Sequence, residues 1–443
     1  MKKLLIYNAH LVDKNLDLVD SALFAEDGII TGFPTKEATA ELLKDNSIFC
    51  VDAKGLTLLP GFVDMHAHFR DPGQTQKEDI ESGSKAAAAG GFTTVVLMPN
   101  TNPVVSSAEL AKINNNKGIL FGYTQVIQSV SITKNFKGSD ISHLETLDSN
   151  ETPLITEDGH EVSDSAVMLE AMKIANKKNL IVSCHCEDPF LAAKAKPLRQ
   201  KALALLRTNG GVPSESEKKS AYELLSKANK LLLLAEECAT QRNLRLAEEA
   251  GCHIHLCHVS TARCIEEIQA AKKRGVNVTF EITPHHLGIE NGDSEENLLH
   301  IVNPPLRSEA DRKALVKSLL ENFADVIATD HAPHTKEDKL SGSPGFSGLE
   351  TAFSLCYTKL CLQEKMSLQR LSEKMSARPA ELLGKNCGLL QEGFAADLIL
   401  VDLEKKWTVC GENFSSKGKY SPLEGKELTG KVISTFLKGI QIL

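Results

Sequence analysis

The sequence predicts an α/β protein: a (β/α)₈ TIM-type barrel with a small β-sandwich domain built from both chain termini. Three observations lead there. Eight short apolar or β-branched runs recur between residues 56 and 334, most of them separated by segments of helical spacing. All but one of those runs end in His, Asp or Asn. The two ends of the chain, by contrast, alternate as strands do and carry turn residues in place of helical periodicity.

The runs are Leu56–His68, Thr93–Asn100, Tyr123–Val130, Pro153–Asp158, Leu180–His185, His253–His258, Asn277–His286 and Asp325–His334. Between them EDIESGSKAAAA, DSAVMLEAMKIANKKN, TARCIEEIQAAKKRG and EADRKALVKSLLENF place apolar residues near a period of about 3.6. Ser163 or Asp164 is positioned to cap the second of these. Strands alternating with helices favour a parallel barrel over an antiparallel sandwich, with a doubly wound sheet as the competitor. In a barrel, reactive side chains collect at the strand C-terminal ends, which is where the polar residues fall. The barrel is expected over 56–385. Residues 1–55 and 386–443 (LLIYNAHLV, ADLILVDLEKKWTV) form the composite β domain. The stretch 189–250 is long for one loop and helix. It reads as a helical excursion with a turn at TNGGVPSES.

Composition excludes several classes. With 443 residues, 42% apolar and 24% charged, the chain can bury a large core without disulfides. A net charge of −8 and no basic block argue against nucleic acid. No apolar run is long enough to span a membrane. Eleven cysteines, an odd number without a framework, fit reduced thiols and a cytoplasmic protein.

His66 and His68 lie two apart at a strand end, so both imidazoles can face one cation. His185, His258 and Asp330 end three further runs. Imidazoles with a carboxylate suit Zn²⁺, with Mn²⁺, Co²⁺ or Fe²⁺ as alternatives. Cys184 and Cys186 alternate with His185 and face the other way. The segment ITEDGHEVSD offers a bridging anion for a second metal, Asp158 ahead of Glu157, although Asp-Gly is also a turn. A bound divalent cation activates water and polarises an amide carbonyl. Asp330 beside it is placed to serve as general base and then acid. Arg70 can grip a carboxylate through a fork of hydrogen bonds. Asn100, Asn303 and His334, at turns after strands, are further candidates for substrate oxygens. Residues 335–347, rich in Gly, Ser and charge, are a lid candidate.

With these residues in view, the chain resembles the dihydroorotases of the amidohydrolase superfamily, in the longer class related to hydantoinases and allantoinases. The motifs are GFVDMHAHFRDPG (61–73), VVLMPNTNP (95–103), HCED (185–188), CHVST (257–261), TPHHL (283–287), NPPLR (303–307), TDHAPH (329–334) and PGFSGLE (344–350). The resemblance implies one metal on His66, His68 and Asp330 and another on His185 and His258. It also implies a substrate carboxylate held by Arg70, Asn100 and His334, with Asn303 nearby. The implied reaction is reversible cyclisation of N-carbamoyl-L-aspartate to L-dihydroorotate plus water, in pyrimidine (UMP) biosynthesis. One or two Zn²⁺ per subunit, a homodimer and an association with aspartate transcarbamoylase go with it. Relatives that bridge two metals with a carboxylated lysine differ, because no lysine ends a strand near 150–160; Asp158 takes that place.

Two alternatives stand beside this. An allantoinase or dihydropyrimidinase-like cyclic amidohydrolase is opposed by Arg70 and by the missing lysine. A catalytically dead homologue acting as a structural partner is opposed by the complete ligand set.

Overall fold

A computed structural model describes residues 2–207 and 212–443. The first four residues of the turn expected at TNGGVPSES lie outside the described residues.

Eight parallel strands form the barrel wall. Phe62–Ala67 pairs with Phe92–Leu97, which pairs with Gln125–Gln128. The third strand breaks at Ser129 and resumes as Val130–Ser131 against Leu154–Thr156. Ile181–Cys184, Ile254–Leu256, Val278–Ile282 and Val326–Ile327 follow in order. A parallel bridge from Ala67 to His331 closes the ring, and the His68 N–H donates to His331 O at 2.8 Å. Helices cover the outside, most of them begun by a side-chain cap; Asp164 accepts from the Ala166 and Val167 amides at the head of Ser165–Lys178. Asn277–His286 reads as one strand, but the strand stops at Ile282 and Pro284 opens a short helix, Pro284–Gly288. Proline at the first helical position loses no hydrogen bond, so the turn starts where the strand would otherwise continue.

Alternation explains what faces inward. Val96, Leu154, Ile181 and Val326 pack together at the floor of the barrel with Val63 and Met65. Two residues on in each strand come Met98, Thr156, Ser183 and Ala328, and two further on Asn100, Asp158, His185 and Asp330. The apolar floor closes the barrel, and the polar layer ends at its C-terminal rim. The intervening Leu97, Ile155, Val182, Cys184 and Ile327 join the core between strands and helices. All eleven cysteines are free thiols.

The two ends of the chain build one mixed sheet. Its order is Ile440–Gln441, Glu427–Leu437, Leu398–Thr408, Thr57–Pro60, Lys3–Val12, Asp17–Glu26 and Ile29–Gly32, with Ile48–Asp52 beside Lys3–Val12. The sheet rolls over a core of Ile6, Leu11, Leu23, Leu58, Leu400 and Phe436, and Ile29 bridges to Ala395. It is a small sandwich made from a single sheet. Because Thr57–Pro60 belongs to it and Phe62 already belongs to the barrel, the first crossing between the two units is the single residue Gly61, and the chain returns to the sheet at Leu398.

Between the fifth and sixth barrel strands, Pro189–Leu206 packs antiparallel on Glu215–Ala250. Ala195 meets Ala228 and Leu232, and Ala202 meets Ala221 and Leu225. Small residues at the seam allow close approach. Among the described residues, no helix is long and apolar enough to cross a membrane.

Candidate metal centre and substrate pocket

The rim of the barrel gathers side chains from five strands. His66 Nε2 lies 3.3 Å from Asp158 Oδ1 and 3.6 Å from Asp330 Oδ1. His68 Nε2 lies 3.2 Å from Asp330 Oδ1 and 3.5 Å from Asp158 Oδ2. His185 Nδ1 is 3.5 Å from Asp158 Oδ1 and 2.8 Å from His258 Nε2. Asp158 thus stands between the pair His66/His68 and the pair His185/His258. A register shift between Asp64 and Ala67 lets Met65 and His66 both turn inward, breaking strict alternation.

This donor set fits a cation. His66 Nε2, Asp158 Oδ1 and His185 Nε2 are buried without a hydrogen-bond partner among the described residues. Two groups of three, His66/His68/Asp330 and His66/Asp158/His258, bring their ligand atoms within 4.8 Å of one another. Imidazole and carboxylate are the donors that Zn²⁺ and its neighbours take. Burial acts to raise Asp158 and Asp330, yet the facing imidazoles, His66 foremost, hold both well below the usual carboxylate range. Burial and the neighbouring His185 push His258 down to about 3, leaving it neutral and able to donate a lone pair.

The backbone is strained at the site. Arg70, His258 and Asp330 all sit at positive φ, +57°, +36° and +47°. Such conformations cost on the order of 1–3 kcal/mol each and persist only where the surroundings impose them. Around Asp330 the imposition is visible. Asp64 accepts from the Thr329 amide at 2.9 Å and from its hydroxyl at 2.5 Å. On the other side, the His331 ring accepts from the Gly348 amide at 3.1 Å.

One contributor escapes a reading of strand ends. Glu281, inward-facing in VTFEI, is fully buried. Its Oε1 lies 2.7 Å from His66 Nδ1 and accepts from the His258 amide at 3.2 Å, while Oε2 meets His255 Nε2 at 3.1 Å. By taking Nδ1–H, Glu281 turns Nε2 of His66 toward the centre. The only sequence signal is a lone acid on the inward face of an apolar strand. Glu281→Gln keeps the shape but loses the charge. It is expected to weaken divalent-metal affinity by about 10- to 100-fold, measured by competition with a chelating indicator; unaltered affinity would remove Glu281 from this role.

The pocket beside the centre has a volume of about 220 Å³ and is lined in part by His68, Arg70, Asn100, Asn303, Asp330 and His334. All the expected substrate residues therefore reach one cavity. Arg70 is buried, its Nε donating weakly to Pro333 O at 3.4 Å and its Nη2 lying 3.4 Å from His334 Nε2. Burial and the Arg70 charge hold His334 down to about 3. Asn100 has a double engagement: Oδ1 lies 2.9 Å from His68 Nδ1, and Nδ2 donates to Asp158 Oδ2 at 3.1 Å. Asn303 Oδ1 accepts from Arg199, a residue of the helical excursion, at 2.6 Å. The segment expected to form a lid carries a capped helix, Lys336–Ser341. Lys339 Nζ folds the segment on itself by donating to the carbonyls of Ser343 at 2.8 Å and Gly345 at 2.6 Å, and reaches Ile301 O outside it at 3.3 Å. His286 lies away from the centre, its Nε2 3.2 Å from Pro304 O, and supports the loop that carries Asn303.

Comparison with known proteins agrees with this architecture. The Amidohydrolase family model matches residues 57–442. The chain is 40% identical over 438 residues to a dihydroorotase of Clostridium botulinum (strain Eklund 17B / Type B), covering 99% of this chain and 98% of that one. It is 38% identical over 443 residues to a dihydroorotase of Bacillus subtilis (strain 168), covering 98% and 97%. Among solved structures, the L-hydantoinase (dihydropyrimidinase) from Arthrobacter aurescens superimposes with a TM-score of 0.82 at 24% identity, covering 100% of this chain and 96% of that one. That likeness speaks for the barrel and its terminal sheet. On the family match and on full-length relatives of this similarity, the chain belongs to the amidohydrolase family and, within it, to the dihydroorotases.

Proposed function

We propose that the chain catalyses the reversible cyclisation of N-carbamoyl-L-aspartate to L-dihydroorotate and water, with one or two Zn²⁺ held by His66, His68, Asp158, His185, His258 and Asp330. The observation that carries this is Arg70: a buried guanidinium on the wall of a small cavity, facing the cation donors, in a chain similar end to end to dihydroorotases. A buried, forked cation selects a carboxylate. Dihydroorotate carries one, whereas the neutral rings of hydantoins and dihydropyrimidines do not.

When bound, the metal supplies an acidified water and polarises the ring carbonyl. The chain does the rest. Arg70, with Asn100, Asn303 and His334, grips the carboxylate and orients the ring. In ring opening, the water oxygen bonds to the amide carbon. Asp330 takes the water proton and delivers it to the ring nitrogen as the C–N bond breaks. Ring closure runs the same steps backwards. Asn100 holds His68 through Oδ1 and Asp158 through Nδ2 while lining the cavity.

A substrate panel tests the reading. Purified protein supplied with zinc is expected to interconvert carbamoyl aspartate and dihydroorotate and to leave allantoin and dihydrouracil unchanged. Turnover of either neutral ring with none of carbamoyl aspartate would overturn it. Arg70→Met is expected to raise KM by about 10²-fold, the scale of losing charged hydrogen bonds, with a smaller change in kcat. An unchanged KM would argue against the carboxylate grip.

A further inference from the structure

Arg199 lies within Pro189–Leu206, in the helical excursion, and nothing around it in sequence marks it out. Its guanidinium turns inward. Nη1 donates to Asn303 Oδ1 at 2.6 Å, and Nη2 donates to Asn229 Oδ1 and Val302 O, each at 3.3 Å. Its Nε is buried with no partner among the described residues. No carboxylate among those residues forms an ion pair with it; Glu187 acts on it only from a distance. A half-buried guanidinium whose Nε is buried without a partner and which makes no ion pair is costly and calls for a reason.

Asn303 supplies the reason. It stands on the wall shared by the 220 Å³ pocket and a second cavity of about 480 Å³, lined also by Lys196 and Arg199. An asparagine amide can present either its oxygen or its nitrogen. Arginine has only donors, so a hydrogen bond from Arg199 fixes which end is which. Oδ1 is consumed by Arg199, and Nδ2, with no protein acceptor among the described residues, is left for the cavity.

We infer that Arg199 is a positioning residue that determines specificity: it locks Asn303 as a hydrogen-bond donor toward the substrate and adds positive potential to that wall. The ligand oxygen it selects belongs to a carboxylate or ring carbonyl of an anion. A ring presenting N–H at this wall would meet another N–H and be rejected, because the mismatch buries two donors unpaired. This inference rests on the ring-closing reading above.

Steady-state kinetics on the full-length, zinc-supplied protein test it. Arg199→Gln is expected to raise KM for dihydroorotate about tenfold, the scale of one charge-assisted hydrogen bond, with kcat changed less than about threefold. Metal content should stay at the parental value. Arg199→Lys, which keeps a charged donor, should recover most of the loss. Asn303→Ala should add little in the Arg199→Gln background, because the two residues act as one unit. Asn303→Asp, which needs no change at Arg199, replaces the donor by an oxygen and should raise KM more than Asn303→Ala. A KM unchanged in Arg199→Gln, additive losses in the double variant, or parental KM in Asn303→Asp would each overturn the inference. If the parent opens no dihydroorotate, the functional reading has failed instead, so the two failures are distinguishable.

Discussion

Asp330→Asn is expected to lower kcat in both directions by about 10³-fold, within the range of about 10²–10⁴ that positioned acid–base groups supply. The exchange preserves size and one oxygen, so the contact to His68 Nε2 at 3.2 Å can persist. What it removes is the proton acceptor. The amide cannot take a proton from the attacking water, nor return one to the ring nitrogen. The value of kcat/KM must fall by the same factor in both directions, because a catalyst leaves the equilibrium unchanged. Asp330 is also in the donor set, so metal content is to be measured on the same sample. A variant that keeps its metal and turns over within tenfold of the parent would show that proton transfer passes elsewhere.

Stripping the metal should be as damaging, and it should also be visible in stability. The centre buries Asp158, Glu281 and Asp330 within reach of four imidazoles, and several of those atoms have no hydrogen-bond partner among the described residues. Without a cation, the buried carboxylates repel one another and lose solvation, offset only by the facing imidazoles. A ligand present at about a thousand times its Kd stabilises the folded state by about 4 kcal/mol. Dialysis against a strong chelator is therefore expected to abolish turnover and lower Tm by several degrees, with both restored by added Zn²⁺. Identical melting curves with and without chelator would contradict a cation bound at this rim.

How much of this could be read from the sequence follows from the geometry of strands. Residues two apart share a face, so Leu154, Thr156 and Asp158 form one inward column, and Ile181, Ser183 and His185 another. A run that begins apolar and ends in His or Asp is the trace of such a column in the sequence. That made the eight strands readable, and it pointed to His66, His68, Asp158, His185, His258 and Asp330, which the fold brings together. The same logic fails where a polar residue sits inside a run and not at its end. Glu281 is such a case, because only the neighbouring strands reveal that it faces His66 and His255. It fails differently for His286, where proline turns the strand into a helix two residues earlier. Arg199 left no trace at all. Its partner Asn303 is 104 positions away, and the pairing depends on how the excursion packs back over the rim. Asn100 is legible in the sequence as a candidate for substrate oxygens, but its bonds to His68 and Asp158 emerge only in three dimensions.

The central claim is that side chains scattered from His66 to Asp330 form one cation centre. Elemental analysis of purified protein, expressed in zinc-supplemented medium and freed of loosely bound ions, tests it most directly. The account predicts one to two equivalents of divalent metal per chain, falling sharply in His66→Ala and His185→Ala variants that remain folded. A parent protein that is folded and active with only trace metal would contradict it.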